Sequence, residues 1–180
     1  MPACLAGGRV PFVRVLVLAA IFAASALLAG AVDASAAKRT VRASAANDGV
    51  ESQLIAILNG VRASQGLPAL RSDDSLNEAA DSHSRGMVTS GVFSHDSASG
   101  TPCDVRIRRF VKARLVGETI AWLAGTPSAQ QAQRTVDLWM NSPPHRQTLM
   151  TPGFKRIGVS RKGGRMFGRQ GVAFTADLAG

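Results

Sequence analysis

The chain has 180 residues, a formal net charge of +9 and 46% hydrophobic residues, with two cysteines and three histidines. That length holds one domain and a short appendage at about 100 to 200 residues per domain, and two cysteines exclude a disulfide-dense scaffold. The basic charge has a nucleic-acid reading, but no motif places Arg or Lys on a recognition helix, and export would remove most nucleic-acid partners.

Export is read from the N-terminus. Arg9 and Arg14 precede and interrupt an apolar stretch from Val10 to about Val32, and small-residue sites follow at Ala29-Gly30-Ala31 and Ala34-Ser35-Ala36. Residues 1–36 therefore read as a secretory signal cleaved near Ala36. An uncleaved membrane anchor is the alternative, since about 20 apolar residues span a bilayer. Cleavage would remove Arg9, Arg14, Asp33 and Cys4, lowering the charge to +8 and leaving Cys103 alone. The mature domain is accordingly expected to fold as a monomer without an intramolecular disulfide. Residues 37–48, rich in Ala, Ser, Lys and Arg, suit a flexible leader, and residues 49–180 form the domain.

Val50, Leu54, Ile57, Leu58 and Val61 recur at helical spacing and predict a first helix over 49–63, ended by Gly66-Leu67-Pro68. Ser75 with Glu78 offers a capping box, with Ser72 and Asp73 as alternative caps. The helix that follows carries Leu76, Ala79, Ala80, His83 and Met87 on one face and ends near Ser90-Gly91. His83 on that face reads as a hydrogen-bonded packing histidine. Pro102 opens a short helix to about Val111 with Val105, Ile107 and Phe110 inward. Within it and beyond, Arg106, Arg108, Arg109, Lys112 and Arg114 read as a solvated basic face, with attraction to an anionic membrane or envelope polymer as the alternative. Ser128 to Met140 is a fourth helix bearing Ala132, Val136 and Trp139, stopped at Ser142-Pro143-Pro144, and Thr148-Leu149-Met150 add a turn. Arg156–Arg161 and Gly171–Leu178 read as an antiparallel hairpin around Gly163-Gly164. Strands grouped after helices indicate an α+β fold.

Three ionisable residues stand in Gly-, Ser- and Pro-bounded contexts of the kind that loops supply to a cleft: His95 in Phe93-Ser94-His95, Glu118 in Gly117-Glu118-Thr119 and His145 in Ser142-Pro143-Pro144-His145-Arg146. Imidazole transfers protons near neutrality and ligates metals, and a carboxylate beside it fixes its tautomer. The three are expected to converge. Phe93, Trp122 and Trp139 read as core, with Trp122 alone considered near the cleft.

These residues belong to an ordered string: Leu67-Pro68-Ala69-Leu70, His83-Ser84, Phe93-Ser94-His95, Gly117-Glu118-Thr119-Ile120-Ala121-Trp122, Trp139-Met140-Asn141-Ser142-Pro143-Pro144-His145-Arg146 and Ile157-Gly158-Val159. Over about residues 50 to 180 the chain resembles the CAP superfamily, the cysteine-rich secretory protein, antigen 5 and pathogenesis-related-1 group, in its bacterial SCP-like form. The resemblance implies a three-layer α-β-α sandwich with a small antiparallel sheet. It also implies a cleft with two histidines and two acids, matched here by His95, Glu118 and His145. The second acid, expected three residues after Trp139, is replaced by Ser142.

The reading carried forward is a secreted, periplasmic or cell-envelope domain whose cleft of His95, Glu118, His145 and Ser142 binds a small amphipathic molecule or an anionic envelope component. The resemblance suggests this through sterol- and fatty-acid-binding members. Zinc held by His95, His145 and Glu118, with a fourth position open to water, is compatible with that reading, and the basic surface favours association with a membrane surface. Hydrolysis is the alternative, with histidine as base, Glu118 orienting it, and Ser94, Ser142 or metal-bound water as nucleophile. It lacks an oxyanion-hole motif. A hydrogen-bonded latch that merely pins loops together is the remaining reading.

Overall fold

The computed structural model describes residues 4–7, 49–125 and 128–180. The apolar stretch, the cleavage site and the leader expected within 8–48 lie outside the described residues. In chain order the elements are β1 (Cys4–Gly7), α1 (Val50–Ser64), β2 (Arg71–Ser72), α2 (Asp74–Ser90), α3 (Cys103–Arg108), β3 (Leu115–Ala124), α4 (Gln131–Met140), α5 (Pro143–Leu149), β4 (Arg156–Met166) and β5 (Arg169–Ala179). The strands form one five-stranded sheet in the order β1-β3-β5-β4-β2, antiparallel except for the β2–β4 pair. With helices on both faces, this is the expected α-β-α sandwich. Among the described residues no helix is long and apolar enough to cross a membrane.

The helix boundaries follow local chemistry. Asp73, one of the alternative caps, accepts a hydrogen bond from the Leu76 amide at 3.1 Å and starts α2. Gly91, with φ of 72°, ends it in the left-handed conformation that glycine adopts without a Cβ clash. In α1, Leu54, Ile55, Leu58 and Arg62 are buried. The Arg62 guanidinium donates to the carbonyls of Pro68, Leu149 and Phe154, so one buried cation ties the end of α1 to the end of α5.

Strand alternation assigns the two faces of the sheet. Leu123, Ile157, Val159, Val172, Phe174, Ala176 and Leu178 pack with Leu54, Leu58, Val136, Trp139 and Leu149 in the layer of α1, α4 and α5. On the opposite face Val116 and Ala179 meet Leu76 and Ile107, while Ile120 and Ala173 meet Met87, from α2 and α3. α2 lies close against β4, because a Cβ at Gly158 would fall on the Leu76–Asn77 peptide.

Several expectations change. The strand β3 was not anticipated; its run of apolar residues on both faces is that of a strand covered on both sides. In α3, Ile107 is buried, but Val105 is 45% exposed and Phe110 is half-buried. The hairpin turns at Phe167-Gly168 rather than Gly163-Gly164, which pair in register with Val172 and Gly171 inside the sheet. A side chain at Gly164 would collide with Val88 of α2.

The expectation of a domain without a disulfide rested on the loss of Cys4. In the full chain Cys4 is bonded to Cys103, and β1 pairs with β3 so that Cys4 stands opposite Glu118. A crosslink closing a loop of this length, between residues 99 apart, removes much unfolded-state entropy and typically contributes about 2 to 4 kcal/mol. Urea unfolding of the full chain should show a loss of that order on reduction or on Cys103→Ser, whereas a chain beginning after Ala36 should show no effect of reductant. Separately, Gly158→Ala should cost about 3 kcal/mol or more through overpacking. Gly60→Ala, in open space at an exposed position of α1, should stabilise by about 0.5 to 1 kcal/mol.

Candidate functional site

His95 sits in the bend after α2, Glu118 in the middle of β3 and His145 in the first turn of α5. Only His95 therefore occupies the loop context expected of all three. They converge nonetheless. His95 Nδ1–H donates to Glu118 Oε1 at 2.8 Å, and the His95 and His145 ring centroids are 6.2 Å apart. Because Nδ1 carries the proton, His95 presents the lone pair of Nε2. Both His95 Nε2 and His145 Nε2 are buried without a hydrogen-bond partner. Ser142 begins α5 but does not cap it with its side chain.

Glu118 has no exposed surface. Its second oxygen receives a charged hydrogen bond from Arg106 Nη2 of α3. Two participants escaped the sequence reading. Arg106, taken as part of a solvated basic face, is only 6% exposed and lies beneath that face. Asp177 of β5 stands directly opposite Glu118 in register, fully buried, with Oδ2 3.6 Å from Arg106 Nη1. It supplies a second acid, from a strand rather than from position 142. The signal for Asp177 was one acid in the apolar run Val172-Ala173-Phe174-Thr175-Ala176-Asp177-Leu178. The signal for Arg106 was its place one residue before buried Ile107 and three after buried Cys103.

His83 matches its expected role. Its Nε2–H donates to the Ser94 carbonyl at 2.9 Å, which fixes the loop that carries His95, and it lies 3.6 Å from Glu118 Oε2. Next to it, Ser84 donates to Thr175 Oγ1 at 2.8 Å, holding α2 to β5. A groove of about 490 Å³ reaches the cluster from the α2–α3 side, where His83 and Arg106 form part of its wall. Trp122 lies apart from the histidines, in an aromatic group with Phe167.

Burial governs the protonation states. Desolvation lowers His95 and His145 to about 4 and His83 to about 3, helped for His83 and His95 by the Arg106 charge and for His145 by His95. All three imidazoles are neutral at pH 7. Burial pushes Glu118 up to about 7 against the pull of Arg106, and pushes Asp177 well above its usual range, with Glu118's charge adding to the shift. The carboxyls compete for one proton. Asp177 keeps it and faces Glu118 with it, because the Glu118 carboxylate accepts from His95 and Arg106 whereas Arg106 stands 3.6 Å from Asp177 Oδ2. The interior then holds one anion against one cation.

Both Glu118 oxygens already accept hydrogen bonds, from His95 and from Arg106. Among the described residues no group of three or more His, Cys, Asp or Glu is placed to hold a metal. The expected set of His95, His145 and Glu118 reduces to two imidazoles with Glu118 orienting one of them.

The proton assignment has a direct test. Asp177→Asn preserves the charge balance and should cost about 1 kcal/mol or less at pH 7, whereas Glu118→Gln strands Arg106 and should cost about 3 to 5 kcal/mol. Equal losses in denaturant unfolding would mean that both carboxyls are ionised.

A model of the cysteine-rich secretory protein family matches residues 55–175. Two Bacillus subtilis proteins are similar in sequence: uncharacterized protein YkwD, 33% identical over 110 residues, and uncharacterized membrane protein YlbC, 32% identical over 111. Each match covers 61% of this chain but only 41% and 30% of those proteins. An extracellular protein containing an SCP domain from Bacillus anthracis superposes with a TM-score of 0.58 at 27% identity, over 71% of this chain and 39% of that one. An outer surface protein from Borrelia burgdorferi superposes with a TM-score of 0.61 at 22% identity, over 74% of this chain and 93% of that one, a likeness of fold. With the family's pattern matched over most of the described domain and an SCP-domain structure superposed on it, the chain belongs to the cysteine-rich secretory protein family, CAP.

Proposed function

We propose that this is an exported binding domain that holds a divalent cation, zinc by its donor set, between His95 and His145, and uses it to engage a small amphipathic or anionic envelope component. The observation that carries the reading is the pair of buried, unpartnered Nε2 atoms on rings 6.2 Å apart. A buried acceptor left without a partner costs about 1 to 3 kcal/mol, and two neutral imidazole nitrogens are standard zinc donors. Glu118 fixes the His95 tautomer that ligation needs. When bound, the ion would supply a Lewis-acidic position for an anionic or carbonyl group of the ligand. Export is supported by the N-terminal sequence pattern and by the extracellular and outer-surface character of the structural relatives.

Hydrolysis is supported less well. Imidazoles held near 4 are weak bases at neutral pH, and the Ser142 side chain caps no helix and engages neither histidine ring. The latch reading accounts for the Glu118–His95 contact but leaves both Nε2 atoms unsatisfied.

Zinc titration followed by melting curves tests the proposal. At a hundredfold excess over Kd the full chain should gain about 2.7 kcal/mol, with one ion per chain, and His95→Ala and His145→Ala should each abolish the gain. An ordinary histidine pKa of about 6.5 would make the gain fade between pH 7.5 and 5. With both imidazoles lowered to about 4, protons compete only near that value, so the gain should persist at pH 5 and fall away toward pH 4. A zinc shift that survives the double alanine replacement would sink the reading.

A further inference from the structure

The tip of the β4–β5 hairpin carries a residue its backbone disfavours. Met166 pairs with Arg169, so Phe167 and Gly168 are the two central residues of the turn, with φ of 50° and 74°. Two successive positive φ values define the type I′ hairpin turn, which strongly favours Asn-Gly, and a bulky side chain at positive φ is an outlier. Phe167 is also 65% exposed. A strained backbone under a mostly exposed ring is an outlier that points to function.

The surroundings say what Phe167 meets. Its ring lies edge-on to Phe93 at 6.0 Å and Trp122 at 6.3 Å, so three aromatics form one surface group. From Arg156 to Ala176 the chain contains no Asp or Glu but five basic residues. The three nearer the root of the hairpin are neutralised: Arg156 by Asp73, Arg161 by Glu51 and Lys162 by Asp81. Arg165 and Arg169, which flank the tip, are exposed, and neither pairs with a carboxylate among the described residues. Arg165 donates to the Gly168 carbonyl at 2.9 Å, and aromatic side chains beside arginines that no carboxylate neutralises suit the boundary between acyl chains and anionic headgroups.

We infer that the β4–β5 tip is a membrane-docking element that inserts Phe167 into an anionic bilayer surface, with Arg165 and Arg169 on the headgroups and Trp122 at the interface. The inference does not depend on a metal at His95 and His145. Moving one aromatic ring out of water is worth roughly tenfold or more in partition, and each basic residue at an anionic surface roughly fivefold.

The test uses the full chain with vesicles of phosphatidylglycerol bearing brominated acyl chains, which quench nearby indoles. Trp122, in ring contact with Phe167, reports on the tip, and Trp139, 1% exposed, serves as the baseline. The lipid concentration for half-maximal quenching should rise about tenfold in Phe167→Asn and about fivefold in Arg169→Gln, and should rise with salt. Phe167→Asn suits the turn, so its melting temperature should equal or exceed that of the parent, which separates lost docking from lost folding. Absence of quenching in the parent, unchanged quenching in Phe167→Asn, or equal quenching by zwitterionic phosphatidylcholine vesicles would each overturn the inference. So would sedimentation showing that Phe167→Asn abolishes a dimer while lipid leaves Trp122 unaffected, since the tip would then serve a second copy of the chain.

Discussion

A carboxylate with no exposed surface in the middle of a strand dictates much of this structure. Removing Glu118 from water is tolerable only because donors converge on it: His95 from the loop after α2 and Arg106 from α3, with His83 of α2 nearby. Each donor belongs to a different segment, so satisfying one charge fixes the relative positions of β3, α3 and the 94–96 bend. Asp177 completes the balance from the neighbouring strand by remaining protonated. The network neutralises itself and, in doing so, presents an imidazole of defined tautomer to His145.

The sheet separates two kinds of packing. Toward α1, α4 and α5 it is lined almost entirely by apolar side chains, with Trp139 hydrogen-bonded through Nε1 to the Ile120 carbonyl. Toward α2 and α3 the same strands present Glu118, Thr175 and Asp177 among smaller apolar clusters. That polarity is why the site lies on this side, and why α2 is held by Ser84–Thr175 and by the close approach at Gly158 as well as by apolar area. His145 belongs to α5, in the opposite layer, and its ring centroid lies 6.2 Å from that of His95.

Burial also sets the chemistry available. The desolvation that keeps the histidines neutral leaves their ring nitrogens without an added proton at pH 7 and makes them weak bases. The same residues in open loops would titrate near about 6.5 and suit acid–base work.

Helices α1, α2 and α4, the Gly91 terminus and the pairing of the last two strands were legible because they rest on local periodicity and capping chemistry, whereas Asp73 rather than Ser75 proved to be the cap of α2. The histidine and glutamate motifs likewise marked His95, Glu118 and His145 and, through family resemblance, the sandwich. The rest depends on long-range packing. β3 has no polar alternation because both its faces are covered, so Gly117-Glu118 looked like a loop. Arg106 looked solvated because its carboxylate partners lie 12 and 71 positions away. Asp177 became a site residue only through its register with Glu118, and Cys103 gained a partner only when β1 joined the sheet edge. Sequence determines which residues favour helix, cap or strand because those preferences act over a few bonds. Which charges meet, and with what protonation, is decided only when the folded chain excludes water between them.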